Sequence, residues 1–264
     1  MSVLLWSLRY EALMAARRKI VWGAVLPLTL LSLLLAVSSP AVTGLGDPGT
    51  ITAAAGVLVT TFGSLGVGLA VADRLRRSTD AHGMPELLSA TPSTALSRAA
   101  GSLGGPLLTA LFPVASLFLL YALVLAVSEG TGAPLSAAVV ALFVAVVPAA
   151  FLATALAGLL GVLLPLAAAR AVLTVVWLWA CHFPPAFSPI PTATGTVLSP
   201  LGGYPLAAWA GAPKIWAARQ GGGTLRPAVT DTAALVNLAL VLTTALACFA
   251  LGYLVARIRR LGAS

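Results

Sequence analysis

The sequence predicts an all-α, polytopic membrane protein: a single transmembrane domain over residues 1–264 with six spanning helices. Three observations predict it. Hydrophobic residues make up 59% of the chain and charged residues 8%, with a mean hydropathy of +1.02. A soluble domain carries about 25% charged residues and could not cover its surface with so few. The apolar residues come in continuous runs, which excludes a β-barrel, whose strands alternate. The basic residues behind the net charge of +8 cluster at the ends of those runs. There they act as topology signals, and this argues against nucleic acid as a partner.

A spanning helix needs roughly 20 apolar residues, since each residue rises about 1.5 Å across about 30 Å of hydrocarbon. Before the first candidate lies an arm, residues 1–19, containing SVLLWSLRYEALMAARRK. Leu5, Leu8, Ala12 and Ala15 share a face at helical spacing, and Trp6 and Tyr10 suit the headgroup layer. That pattern predicts an interfacial helix; the alternative is a cytosolic extension of the first span. The first span runs from about Ile20 to Val37. The VSSPA after it looks like a cleavage site, but signal peptides have short basic starts and apolar cores of about 7–15 residues, so a retained helix is expected. The second span runs from Ile51 to Ala72 and carries Ser64, Gly68 and Ala72 at small-xxx-small spacing, thickened by Gly63 and Gly66. Such a face lets another helix backbone approach closely, within or between subunits.

Residues 73–98, DRLRRSTDAHGMPELLSATPSTALSR, concentrate charge in a chain that otherwise avoids it. Asp73, Arg74, Arg76 and Arg77 leave the second span. Pro85 then fits the first position of a short helix, and Glu86 favours the positive end of its dipole. Leu87 and Leu88 follow, and Thr91-Pro92 reads as a cap before the next helix. The segment encodes a helix of about two turns with two exposed leucines inside a polar rim, which is what a docking element needs. An ordinary basic cytoplasmic loop is the other reading.

The third span runs from about Leu103 to Val127 and the fourth from about Leu135 to Gly158. Pro27, Pro106, Pro113 and Pro148 lie inside or near the ends of spans and predict kinks. The fifth starts near Arg170, or earlier near Leu163, and reaches Pro184-Pro185; the sixth runs from about Thr232 to Ala256. Between them lie residues 184–231, and CHFPPAFSPIPTATGTVLSPLGGYPLAAWAG, residues 181–211, is too apolar for a free loop. Tyr204, Trp209 and Trp216 suit interfacial anchoring, and re-entrant helices capping the outer side are expected, with Tyr204 and Trp209 as candidate outer-gate residues.

Twelve of the 15 Lys and Arg fall on one side of this topology, in the arm, in residues 74–98, at Arg170 and in the tail from Arg257. The other side has Lys214, Arg219 and Arg226. Both termini are therefore expected in the cytoplasm. No phosphate-cradling loop, metalloprotease or serine-hydrolase motif, or paired-cysteine motif is present. His82 and His182 fall on opposite sides, so no metal site is expected, and Cys181 and Cys248 read as small buried hydrophobes. No acid falls at membrane depth in this topology: Asp47, Glu129 and Asp231 sit at the outer rim and Asp73 at the inner one. An ion-coupled carrier needs ionisable groups at membrane depth. The interior polar groups are mild, with Thr60, Thr61, Ser64 and Asn237 as candidates for lining a translocation path and an interhelical hydrogen bond as the further reading of Asn237. A path so lined suits a large apolar or amphipathic substrate better than a bare ion.

RLRRSTDAHGMPELLSATPSTALSR between the second and third spans resembles the charged segment, with an E-L-L then T-P core, of the membrane subunit (permease) of type 2 ABC exporters. The amino-terminal arm is similar to that family's interfacial connecting helix, and LSPLGGYPLAAWAG to its outer region. The Pro/Gly richness of residues 184–223 departs from the family pattern. The resemblance implies a permease of the inner (plasma) membrane, not itself an enzyme and without a cofactor. Its partners would be a second permease copy or paralogue, membrane lipid and cytosolic ATPase subunits that bind ATP and Mg. It further implies that Pro85, Glu86, Leu87 and Leu88 insert into a groove on the ATPase. Arg74, Arg76 and Arg77 would form the electrostatic rim, or hold anionic lipid. A secondary carrier and a non-transporting membrane scaffold are the competing readings.

Overall fold

The computed structural model describes residues 3–76, 95–182, 192–213 and 224–261. Among the described residues every regular element is helical. The chain begins with α1 (Val3–Ala16), and Arg18 in extended conformation turns it into α2 (Lys19–Ser38). A single turn, α3 (Pro40–Thr43), leads to α4 (Pro48–Leu58). Asp47 caps α4, its carboxylate accepting from the Thr50 amide at 2.7 Å, and this hydrogen bond holds the carboxyl below its ordinary range. A π turn over Val59–Gly63 joins α4 to α5 (Ser64–Val71), and the apolar helical stretch ends at Arg76. Next come α6 (Ala95–Glu129) and α7 (Ala133–Ala141). A second π turn (Leu142–Val146) leads into α8 (Val147–Leu163). The last three are α9 (Leu166–Cys181), α10 (Gly203–Trp209) and α11 (Asp231–Leu261).

Among the described residues five helical stretches are long and apolar enough to cross a bilayer: Lys19–Ser38, Pro48–Arg76, Ala100–Glu129, Ala133–Leu163 and Asp231–Arg259. Each falls within a few residues of an expected span, and together they make this a membrane protein. The fifth expected span does not reach that length. α9 has 16 residues, about 24 Å at 1.5 Å per residue, against about 30 Å of hydrocarbon. Its start is fixed by Pro165, which forces Leu164 into extended conformation at φ −121° and ψ 158°. The turn is therefore Leu164-Pro165, and Arg170, expected in that turn, lies inside α9. Pro27, Pro106 and Pro113 sit within continuous helices. Pro148 is different: it opens α8 directly after the π turn, where the widened backbone accommodates a ring with no N–H to give.

The stretch Pro48–Arg76 is the axis of the bundle. It is 89% buried in its apolar window, whereas α2, α6 and α11 are 22–33% buried in theirs and turn most of their surface outward. Its small residues explain the position. A side chain at Gly66 would meet the backbone of Ala24 and Val25 in α2, and one at Gly68 would meet Ala153 in α8 and Leu173 in α9. The small-residue face therefore serves packing within the chain. In a lipid setting helices gain little from burying hydrocarbon, and close backbone approach of this kind supplies the dispersion contacts instead.

Gly161 of α8 faces the Ala72 carbonyl oxygen so closely that a Cβ would collide with it. The obstacle is backbone and cannot swing away. Gly161→Ala is expected to lower stability by at least about 1–3 kcal/mol, the usual range for overpacking. Gly23→Ala is the control, since nothing lies within 4 Å of its Cβ position; it is expected to be neutral or stabilising. Thermal denaturation of the detergent-solubilised protein distinguishes the two.

Candidate functional site

Glu11, Arg18, Asp73 and Arg74 gather where α1 meets the end of the central helix, beside α6. α1 lies along α6 because Gly101, Gly104 and Gly105 clear a groove for it. Side chains at these positions would run into Ser7, into Leu8, and into the Leu8 carbonyl and Ala12 amide respectively. Thr109 Oγ1 donates to the Ala12 carbonyl at 3.0 Å and ties the two helices. Of the four residues expected to share one face, Leu8 and Ala12 are half-buried and Ala15 is buried, whereas Leu5 is exposed beside Trp6 and Tyr10.

Two ion pairs clamp this arm to the central helix. Arg18 Nη1 meets Asp73 Oδ2 at 3.0 Å, and Arg74 Nη1 meets Glu11 Oε2 at 3.2 Å. Asp73 and Arg74 are each only 6% exposed, which is tolerable for charges only when they are paired. Burial raises the Glu11 carboxyl above its ordinary value, and Arg74 and Arg18 pull it the other way. At the same end Arg259 of α11 donates to the Val162 carbonyl, closing the orphaned C-terminus of α8.

Arg74 was expected on an exposed rim; its guanidinium is instead buried against Glu11, because the helix continues past Ala72 and keeps that side chain under α1. Arg76 is exposed. Arg77, Pro85, Glu86, Leu87 and Leu88 lie outside the described residues.

Of the four candidate path residues, Thr60, Thr61 and Ser64 lie together at the first π turn, and Asn237 lies apart from them on α11. Thr60 and Thr61 are fully buried in the first π turn, their hydroxyls donating to the carbonyls of Gly56 and Val57. Ser64 Oγ makes a long contact of 3.5 Å to the Val146 carbonyl in the second π turn, and Trp177 Nε1 donates to the Thr61 carbonyl at 2.9 Å. These groups hold helices together where the π geometry disturbs the backbone ladder. Asn237 does not bond to another helix. Its Nδ2 donates to the carbonyls of Val197 and Ser199 at 2.7 and 3.0 Å, pinning the segment before α10 to α11. Turn carbonyls buried away from water need such a donor.

In that segment Tyr204 is buried, its hydroxyl donating to the Pro227 carbonyl, and Trp209 Nε1 donates to Asp231 Oδ1 at 2.9 Å. Gly202, at φ +68°, starts α10 hard against Ala145, and Leu206 is fully buried in the main core. The described outer residues thus form turns and one seven-residue helix seated on the end of the bundle. Cys181 and Cys248 are free thiols, the first buried and the second half-buried. Among the described residues no three His, Cys, Asp or Glu side chains come together as a metal site would require.

The sequence reading missed the arm's seat. Its signal was present as GSLGG at residues 101–105, with glycines at i, i+3 and i+4 on one helix face. No protein-family model matches the chain, and no curated protein matches it significantly.

Two outcomes test the clamp. Asp73→Ala strands Arg18 and is expected to cost about 1–3 kcal/mol, between an exposed pair and a buried one. Trypsin should then cut faster at Arg17 and Arg18. Glu11 behaves differently. Its raised pKa means the folded protein holds that proton more tightly than the unfolded chain. Its contribution to stability is full below the ordinary value of 4.5 and declines as pH rises through the raised value. Glu11→Gln removes that decline, so its melting temperature relative to the parent should move upward from about pH 4 to about pH 7.

Proposed function

We propose that this chain is the membrane-spanning permease subunit of an ATP-binding cassette exporter, working with separate cytosolic ATPase subunits that bind ATP and Mg. The observation that carries the reading is the double ion pair at the head of the charged segment. Asp73 and Arg74, the first residues of the stretch that resembles a coupling segment, are buried and fastened to Arg18 and Glu11 of the amino-terminal arm. A loop with no mechanical task has no need of two buried charges at its root. Force applied to residues 77–94 reaches both the central helix and α1 through that root.

In this reading the central helix, Pro48–Arg76, transmits the push, and the path forms between this subunit and a second copy or a paralogue. The threonines of the first π turn are buried within the subunit, so exposed faces of the outer helices line the path instead. α9 is the fifth of six spans and the shortest, both termini are cytoplasmic, and the host is the inner (plasma) membrane. The outer residues around Tyr204 and Trp209 cap the exit side. The cargo is a hydrophobic or amphipathic compound such as a drug, lipid or peptide, since the lack of acids at membrane depth disfavours ion-coupled carriage.

Glu86, Leu87 and Leu88 are the contact to test. Leu87→Asp and Glu86→Lys should each abolish co-purification of the partner ATPase and reduce its ATP turnover to the uncoupled level. If both variants retain the complex and its turnover, the coupling assignment is wrong. Transport by the chain alone in sealed vesicles would instead establish a secondary carrier.

A further inference from the structure

We propose that the cavity between α6, α8 and α11 binds a small, uncharged, membrane-dissolved aromatic compound carrying one hydrogen-bonding group, of the size of a phenol. The cavity has a volume of about 170 Å3. Its walls are hydrocarbon, from Leu103 and Leu107 of α6, Phe151 of α8, and Leu246 and Phe249 of α11, with Thr154 of α8 as the polar exception among its lining side chains.

Thr154 is 1% exposed, and its hydroxyl has no hydrogen-bond partner among the described residues. That is unusual in this molecule. Threonines past the first turn of other helices, such as Thr29, Thr60, Thr61, Thr174, Thr243 and Thr244, donate back to the carbonyl four residues earlier. This is what a threonine hydroxyl does when nothing else engages it. Thr154 has the same carbonyl in reach and leaves it, placing both a donor and an acceptor at the cavity wall. A buried polar group left this way calls for a partner.

Size and location define that partner. An apolar protein cavity of about 150 Å3 stays dry and takes up benzene, so this one accommodates a single ring with a small substituent. Phe151 and Phe249 offer ring contacts of the kind aromatic pairs favour. No charged residue lines the cavity, which excludes an ion. Leu246 at the mouth is 56% exposed, so the cavity opens on the outer surface of the bundle. Thr154 lies nine residues before the end of α8 at Leu163, about 13 Å along the helix axis. Entry is therefore lateral, from the hydrocarbon layer. The inference stands apart from the export reading, since uptake from the membrane requires no ATPase.

The test uses the full chain in lipid nanodiscs with a diazirine-bearing phenol as photolabel. Adducts should map to the peptides holding Phe151 and Phe249. Phenol should displace the label at about one tenth of the membrane concentration that toluene needs, the factor one net hydrogen bond supplies. Thr154→Val, which keeps the shape and removes the hydroxyl, should erase the difference between the two competitors. Ala155→Leu, which fills the cavity, should abolish labelling at these peptides. Labelling spread evenly over the outward-facing helices overturns the site. Equal competition by phenol and toluene in the parent protein overturns the role of Thr154, as does an unchanged ratio in Thr154→Val. That last arm is decisive even if Ala155→Leu does not fold.

Discussion

A helix enclosed on nearly all sides inside a membrane protein has few means of being held in place. Its neighbours are as apolar as the lipid they replace, so burial by itself returns little. What remains is contact so close that backbones nearly touch, together with hydrogen bonds that lipid cannot offer. The helix Pro48–Arg76 uses both. Gly66 and Gly68 admit α2 on one side and α8 with α9 on the other. The Thr61 carbonyl then takes the Trp177 indole proton. The rest of the bundle is arranged around this helix.

The two π turns follow from the same constraint. A π turn widens the backbone and disturbs its hydrogen-bond ladder, which in hydrocarbon must be answered by a neighbour. Here the two π turns adjoin each other in the bundle. Trp177 answers at the first and Ser64, more weakly, at the second. The second also relieves Pro148, whose ring would otherwise press on the preceding turn. The buried hydroxyls of the central helix therefore serve the integrity of the helix before any passage of cargo.

The long helices were legible because hydrocarbon thickness imposes a length that the apolar runs reproduce. α9 was harder. Its apolar run flows out of α8 without a change in composition, and the boundary depends on Pro165 alone. Arg74 was misread because a charge at a helix end suggests solvent, and nothing local reveals that α1 folds back over it. The pairing partners Glu11 and Arg18 are 63 and 55 residues away from theirs. Asn237 was recognised as a hydrogen-bonding group, yet its acceptors lie in turns, whose carbonyls have no sequence signature. The Thr154 cavity had no sequence signal at all, since a threonine in an apolar helix normally satisfies itself.

The clamp and the central helix together set how a displacement would travel. Between the Asp47 cap and the Asp73–Arg74 clamp the helix is packed by backbone contacts at Gly66 and Gly68 and by Gly161 of α8 against Ala72. Contacts of that kind do not compress, so the half below the π turn moves together with α8. α1 follows, because it is tied to the same root by Arg18 and Glu11 and to α6 by its glycine seat. The π turn at Val59–Gly63 is the point at which the helix can change direction, since its ladder is already interrupted and is completed by one side chain from α9. Under the proposed coupling, a push entering through residues 77–94 would tilt the half of the bundle that holds the clamp against the half beyond the π turn. The pivot would lie where Trp177 meets Thr61.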